Sequence, residues 1–342
     1  LRVNNTWDYP TYLLVALAGL VFARLLRPEG VAWEQFWPVV GRFLVLVVAS
    51  TLLFQPFHGR YGAAYTSVEV WRGPRTEPGD YWLIHGLFLF ILTSYSLSRA
   101  FSREVRGAVA RTIRMTLGRP LHLLRYGHLS GLLMQPTLAY QLAWYGVVAT
   151  LAVAAFSVLV HWWLVGLVLP LGLVGMALVL RRALPPAERL ASLLFVAGLL
   201  LTLLVEVLVL RGDIGRMNTV FKFYLQVWTL FAVSSAAALG WLWPAIQQWT
   251  PRWRNGWQVI LVMLVFGAAL YPLLAGTAKI KDRMAPEAPH TLDGMSFMEY
   301  ATYTDEWGEM DLSQDRRAIQ WLLDNVEGSP VIVEANLRNL YR

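Results

Sequence analysis

Long apolar runs limit this chain more than any other feature. LFVAGLLLTLLVEVLVL (194–210) and TLFAVSSAAALGWLW (229–243) are two of them. A helix of about 20 apolar residues, rising about 1.5 Å per residue, crosses roughly 30 Å of hydrocarbon. Lipid offers the backbone no hydrogen bonds, so runs of this length cross as helices. Composition agrees. Of the 342 residues, 56% are hydrophobic and 15% charged, against about 25% charged in soluble domains; mean hydropathy is +0.47.

The runs predict an all-α polytopic membrane protein with about eight transmembrane helices, at 10–26, 38–54, 82–99, 138–158, 163–180, 190–210, 220–243 and 258–275. Lys and Arg in the connections set orientation, because they are retained on the cytoplasmic side. The segment 99–137 carries Arg99, Arg103, Arg106, Arg111, Arg114, Arg119 and Arg125, and the segments 181–189 and 247–257 are also net basic. With eight spans all three fall on one side, which is expected to be cytoplasmic. The N-terminus, 55–81, 211–219 and the C-terminal segment are then extracytoplasmic. The net charge of +7 follows largely from this topology and does not point to nucleic acid. Anionic lipid headgroups are the expected partner of the basic loop 99–125. There is no cysteine, which excludes disulfides and thiolate metal sites.

Two domains are expected: a helical membrane part, 1–275, and an extracytoplasmic soluble segment, 276–342. The second holds seven Lys or Arg against twelve Asp or Glu. Ala318, Ile319, Leu322, Leu323 and Val326 recur at helical spacing, and VIVEA (331–335) reads as a short strand after an EGSP turn. This is the beginning of a small α/β domain. The abrupt start and stop are those expected of a piece of a longer polypeptide.

DIGRMNTVFKFYLQVW (213–228) concentrates polar groups where a span begins. Asn218, Lys222 and Gln226 are four apart and form one stripe. Thr229, Val233, Ala236, Ala237 and Gly240 are expected to continue that side against other helices, with Phe221, Tyr224 and Trp228 on an aromatic side. Glu206 lies five residues from the end of the preceding span, roughly 7 Å deep, within reach of Arg216 or Lys222. Intramembrane carboxylates are rare and are paired or functional. A structural ion pair would fix this helical hairpin. The alternative is that Arg216 or Lys222 meets an anionic ligand, for which a guanidinium fork and an ammonium point charge suit phosphate.

Other residues on the same side extend the set. Asp8 precedes the first span, where it serves as a helix cap or as a carboxylate for base or metal duty. Trp7, Tyr9 and Tyr12 read as an interfacial belt. The loop 55–81 holds His58, Arg60, Arg72 and Arg75 among aromatics, a composition suited to sugar stacking and phosphate contacts. His85, one turn inside its span, is expected to be a satisfied structural residue, the alternative being a catalytic or substrate-binding role beside those loop residues.

EVLVLRGDIGRMNTVFKFYLQVW (206–228), with NTWDYPTY (5–12) and WLIHGLFLF (82–90), resembles the YYY membrane-protein family, the Chlor_Arch_YYY domain. AIQWLLDNVEGSPVIVEA (318–335) resembles the start of that family's external domain. The membrane part of such proteins is similar to the C superfamily of integral membrane glycosyltransferases. The resemblance implies transfer of a sugar from a polyprenyl-phosphate donor to an acceptor on the extracytoplasmic side. It implies that Arg211, Arg216 and Lys222 hold the lipid phosphate, alone or with a divalent metal. Glu206, Asp213, Asn218, Gln226 and Tyr224 would support them, and Asp8 is the one carboxylate here for catalysis. An acidic, His-bearing loop motif of that family, of the kind GDLHPH, is absent, so the main base is expected upstream of Leu1. An aromatic pair often follows FKF in that family, where this chain has Tyr224-Leu225. A transporter or flippase of a lipid-linked or anionic substrate would use similar charges but calls for inverted repeats and a midplane site. A non-catalytic assembly subunit would leave the polar stripe without a purpose.

Overall fold

A computed structural model describes residues 6–27, 30–59, 67–100, 136–305 and 308–333. The basic residues predicted between 101 and 135, and Arg60, lie outside the described residues, as does the side chain of His58. The protein is an all-α membrane protein with a few two-stranded ribbons. The chain divides into two compact units, Leu1–Leu261 and Val262–Arg342.

The first unit is built from α1 (Asp8–Leu20), α2 (Phe36–Leu52), α3 (Pro78–Ala100), α4 (Pro136–Leu159), α5 (Trp163–Leu180), α6 (Pro186–Val207) and α7 (Met217–Gln247), with the start of α8 (Pro251–Leu270). Six helices among the described residues are long and apolar enough to cross a membrane: Trp33–Leu52, Pro78–Ala100, Trp163–Leu180, Pro186–Val207, Met217–Gln247 and Pro251–Arg283. The spans expected at 10–26 and 138–158 fall on shorter apolar material. α1 has 13 α-helical residues before a π-helical turn, Val21–Leu25, and Tyr145–Leu159 is a shorter apolar helix.

α7 sits at the centre, packed on α6 and α3. Its buried side carries Phe223, Val227, Phe231, Ala238, Leu242 and Ile246. Between helices in lipid, close packing replaces the hydrophobic effect as the cohesive force, so small residues let the backbones approach. Gly198 of α6 does this: an added Cβ would lie 2.4 Å from Cε1 of Phe231. Gly175 of α5 does the same against Val196, at 2.7 Å from Cγ2.

The expected inward side of α7 is corrected here. Val233 is 56% exposed, and Thr229, Ala236 and Gly240 are exposed too. The stripe drifts about 40° per four-residue step, which carries it along the flank of α7 rather than into the core. Only its Gln226, with neighbouring Thr219, turns inwards. The aromatic side is also split: Tyr224 is buried, whereas Phe221 and Trp228 are exposed.

Two short strands tie the loop after α2 to the α6–α7 connection. β3 (Val68–Val70) pairs antiparallel with β4 (Leu208–Leu210), in the register Val68↔Leu210, Glu69↔Val209 and Val70↔Leu208. A further ribbon, β1 (Leu26–Arg27) with β2 (Gly30–Val31), lies between α1 and α2 in the chain.

In the second unit, a π-helical turn (Tyr271–Ala275) leads into α9 (Gly276–Arg283). The hairpin Thr302–Asp305/Gly308–Asp311 precedes α10 (Ser313–Asn325). Arg316 of α10 bonds back to Glu299 at 3.2 Å and to the Met295 carbonyl at 2.6 Å. The helix expected near 318–326 is present, but none of its residues is buried. The strand expected at 331–335 is not formed at 331–333, which pair with nothing among the described residues; 334 and 335 lie outside them. A strand needs a partner ladder, and no described segment supplies one.

Candidate functional site: the polar cap where α6 meets α7

α6 ends at Val207 and α7 begins at Met217, so both termini leave backbone groups without helical partners. Side chains fill them. Asp213 accepts from the backbone N–H of Asn218 (3.2 Å) and Thr219 (2.8 Å), from the Asn218 amide (3.0 Å) and from the Thr219 hydroxyl (2.7 Å). Thr219 Oγ1 in turn accepts from the N–H of Leu210 at 3.0 Å. Asp213 therefore caps α7 and locks β4 to it, rather than orienting cations as the sequence suggested. Burial pushes its carboxyl pKa upwards, but these four hydrogen bonds outweigh that and hold it below the usual carboxylate range.

Glu206 finds Arg216, not Lys222. Arg216 Nη1 donates to Glu206 Oε1 at 2.7 Å and to the Val205 carbonyl at 2.9 Å, and Nη2 donates to Thr76 Oγ1 at 2.9 Å. Thr76 completes the triangle. Its hydroxyl donates to Glu206 Oε1 at 2.5 Å and its N–H to Oε2 at 3.1 Å. The Arg216 guanidinium also lies 5.6 Å from the Trp71 ring, and the Trp71 indole is fixed by donating to the Pro74 carbonyl. Thr76 and Trp71 were not singled out in the sequence. They sit in a loop whose packing on α6 is a tertiary fact, and no periodicity marks them.

A second contact joins α1 to α7. Gln226 Nε2 donates to Asp8 Oδ1 at 2.9 Å and to the Trp7 carbonyl at 3.2 Å. Lys222 is half-buried one turn before Gln226 on α7. Asn218, a further turn back, belongs to the Asp213 cap. Arg211 is exposed, and its Nε is 3.9 Å from Glu69, a surface pairing of little energetic weight. Arg72 is exposed. Arg75 stacks on Trp162 with Cζ 4.4 Å from the ring centre, and its Nη1 is buried without a hydrogen-bond partner among the described residues.

His85 is wholly buried among the rings of Tyr81, Tyr224 and Phe231, with centroids 4.9, 5.0 and 5.6 Å away. The expectation of a satisfied histidine is corrected: neither ring nitrogen has a hydrogen-bond partner among the described residues, and neither does the Tyr224 hydroxyl. Aromatic edges fill the space that polar partners would take.

Beside this cap runs an apolar groove of about 500 Å³. α1 forms one wall with Leu14 and Ala18, and α6 forms the other with Leu193, Leu200 and Leu204. Trp7, Thr219 and Phe223 also line it, and the Trp7 carbonyl accepts from Gln226. Among the described residues no group of three or more His, Cys, Asp or Glu is placed to hold a metal ion. Chemically, an amide–carboxylate pair, Gln226 with Asp8, adjoins Trp7 of a slot suited to hydrocarbon.

No curated protein and no solved structure matches the chain. A family model does, over residues 1–231, which include every part of the cap and groove. The chain belongs to DUF2298, a family of uncharacterized membrane proteins.

Proposed function

We propose that the protein is an integral membrane glycosyltransferase that takes a sugar from a polyprenyl-phosphate donor, with the cap and groove on the extracytoplasmic side. The observation that carries this reading is the groove. It is lined by apolar side chains along α1 and α6 and by Trp7, whose carbonyl and neighbouring Asp8 carboxylate accept from Gln226. An isoprenoid tail fits such a slot, and its phosphate would then lie beside the ammonium of Lys222, with Arg211 at the rim. Glu206 and Arg216 neutralise one another and hold the loop that shapes the mouth. Asp8, if it faces the acceptor hydroxyl, would take its proton as the acceptor oxygen bonds to the sugar and the lipid phosphate departs. The charges of this cap, Glu206 and Arg216, lie where α6 ends and α7 begins rather than at mid-helix, which favours transfer over transport.

The test is sugar transfer from a radiolabelled polyprenyl-phosphate sugar by the purified protein in lipid vesicles. Wild type is expected to transfer. Lys222→Ala should lower kcat/KM at least tenfold, the effect of losing about 1.4 kcal/mol of phosphate stabilisation. Leu200→Trp, which fills the groove, should raise KM for the long-chain donor and spare a short-chain one. Transfer unchanged in both variants would overturn the assignment.

A further inference from the structure

α2 carries the next inference. It forms all but the first turn of a span-length helix, Trp33–Leu52, yet Val39 is its one buried residue among those described. Arg42 stands nine residues from one end of that helix and ten from the other, roughly 14 Å from each. It is exposed. Its Nη1 donates to the Pro38 carbonyl at 3.2 Å, and no carboxylate among the described residues forms an ion pair with it. The bond to Pro38 draws the head one turn, roughly 5 Å, towards the Trp33 end. That still leaves it roughly 8 Å inside the span. A guanidinium at this depth facing hydrocarbon is costly, and such residues pair with an opposite charge.

The surface around it has a shape as well as a charge. Pro38, Val45, Leu46, Ala49 and Leu53 share the side of Arg42 at helical spacing. That side is about a quarter turn from the one where Val39 is buried and Ser50 bonds the Tyr9 hydroxyl at 2.8 Å. Both sides of α2 are thus defined, and no helix among the described residues lies against the Arg42 side.

We propose that this side of α2 docks a membrane-spanning helix of another polypeptide, one that carries a carboxylate at the depth of Arg42. A second copy of this chain does not meet the requirement. In a two-fold pair through α2, Arg42 would face Arg42, and the acid nearest in sequence, Glu34, is eight residues or roughly 12 Å away along the helix. An apolar helix with one central Asp or Glu supplies the missing charge, while its small or β-branched residues pack on Val45 and Ala49.

The absence of cysteine makes the test direct. A single cysteine placed at Leu44, exposed on the side of α2 away from Arg42, takes a fluorescent donor in the full chain. The protein is then reconstituted in phosphatidylcholine vesicles with an acceptor-labelled polyleucine helix bearing one central Glu. Energy transfer should show association about tenfold tighter than with the all-leucine helix. Arg42→Leu should abolish the difference, and Arg42→Lys should keep most of it. Equal association of the two probe helices, or a preference that survives Arg42→Leu, would overturn the proposal and leave Arg42 as a contact to lipid headgroups. The sugar-transfer reading is unaffected by either result.

Discussion

Replacing Arg216 by Ala tests the cap most sharply. Glu206 is 3% exposed and Arg216 14%, so the pair is nearly dry. Wild-type Glu206 accepts three hydrogen bonds, two from Thr76 and one from Arg216. The substitution leaves a buried carboxylate with Thr76 alone and strips the Val205 carbonyl of its donor. Removing one partner of a buried pair costs about 3–5 kcal/mol, most of it the penalty of the charge left behind. Adding Glu206→Gln to Arg216→Ala removes that charge while keeping an acceptor for Thr76, so the double variant should recover at least half the loss. The assay is the unfolding midpoint in lipid–detergent micelles titrated with sodium dodecyl sulfate. If Arg216→Ala unfolds with wild type, or if the double variant is less stable than the single one, the claim that buried charge holds this end together is wrong.

Three further outcomes are expected in the same assay. Gly198→Ala should cost about 1–3 kcal/mol, because its Cβ would meet the Phe231 ring at 2.4 Å; Phe231→Leu in the same chain should recover part of it. Tyr95→Phe should cost about 1–3 kcal/mol by removing the 2.6 Å donor to the buried Glu188 carboxylate, and no change would rule out a role for that bond. Asp213→Ala should cost about 0.5–2 kcal/mol as a lost helix cap. Because the Asp213 carboxyl is held below its unfolded value, of about 3.9, its contribution is full above that value and is lost as pH falls through the lower folded one. Asp213→Asn should flatten stability over that acidic window, and a pH profile identical to wild type would refute the linkage.

The ion pair behind this cap was legible in the sequence, and its partner in the loop was not. A Glu inside an apolar run demands a cation nearby, and a short connection to an antiparallel helix limits the choice to Arg216 or Lys222. Side-chain reach from the N-terminus of α7 then selects Arg216. Thr76 is a different case. It is one of several polar residues in a long loop, and only the β3–β4 pairing, with Trp71 N–H on the Val207 carbonyl and Arg211 N–H on the Ser67 carbonyl, brings it to α6. The stripe 218–222–226 was seen correctly as a set and aimed wrongly. A four-residue repeat drifts, and which of its members turns inwards depends on where the neighbours stand. Asp213 was misread for a related reason: its value lies in the unsatisfied N–H groups of α7, which composition does not display. The helix of the second unit was readable from its periodicity, whereas a strand depends on a partner that the same window does not contain.

The two clusters of buried charge on α6 explain where the groove can give way. At one end Glu188 accepts from Tyr95 at 2.6 Å and from Arg99 at 2.8 Å, and Arg189 donates to the Val179 carbonyl at 2.9 Å. At the other end Glu206 is tied to Arg216 and Thr76. Between them Phe195, Val196, Leu199, Thr202 and Val205 are buried. α6 is therefore pinned at both ends and packed along its middle, and it forms the rigid wall. The opposite wall, α1, has no buried residue; apart from Trp7, packed on Phe223 at its start, it is joined through polar contacts, Asp8 with Gln226 and Tyr9 with Ser50. Polar contacts reform with water or headgroups at lower cost than buried apolar packing is undone. A hydrocarbon tail entering the groove would thus displace α1 and leave α6 in place. The hydrogen bond between Gln226 and Asp8 then links the position of that wall to the Asp8 carboxylate. Gln226→Ala should weaken that link, so a tail-induced change at Asp8 would shrink while the groove itself stayed intact.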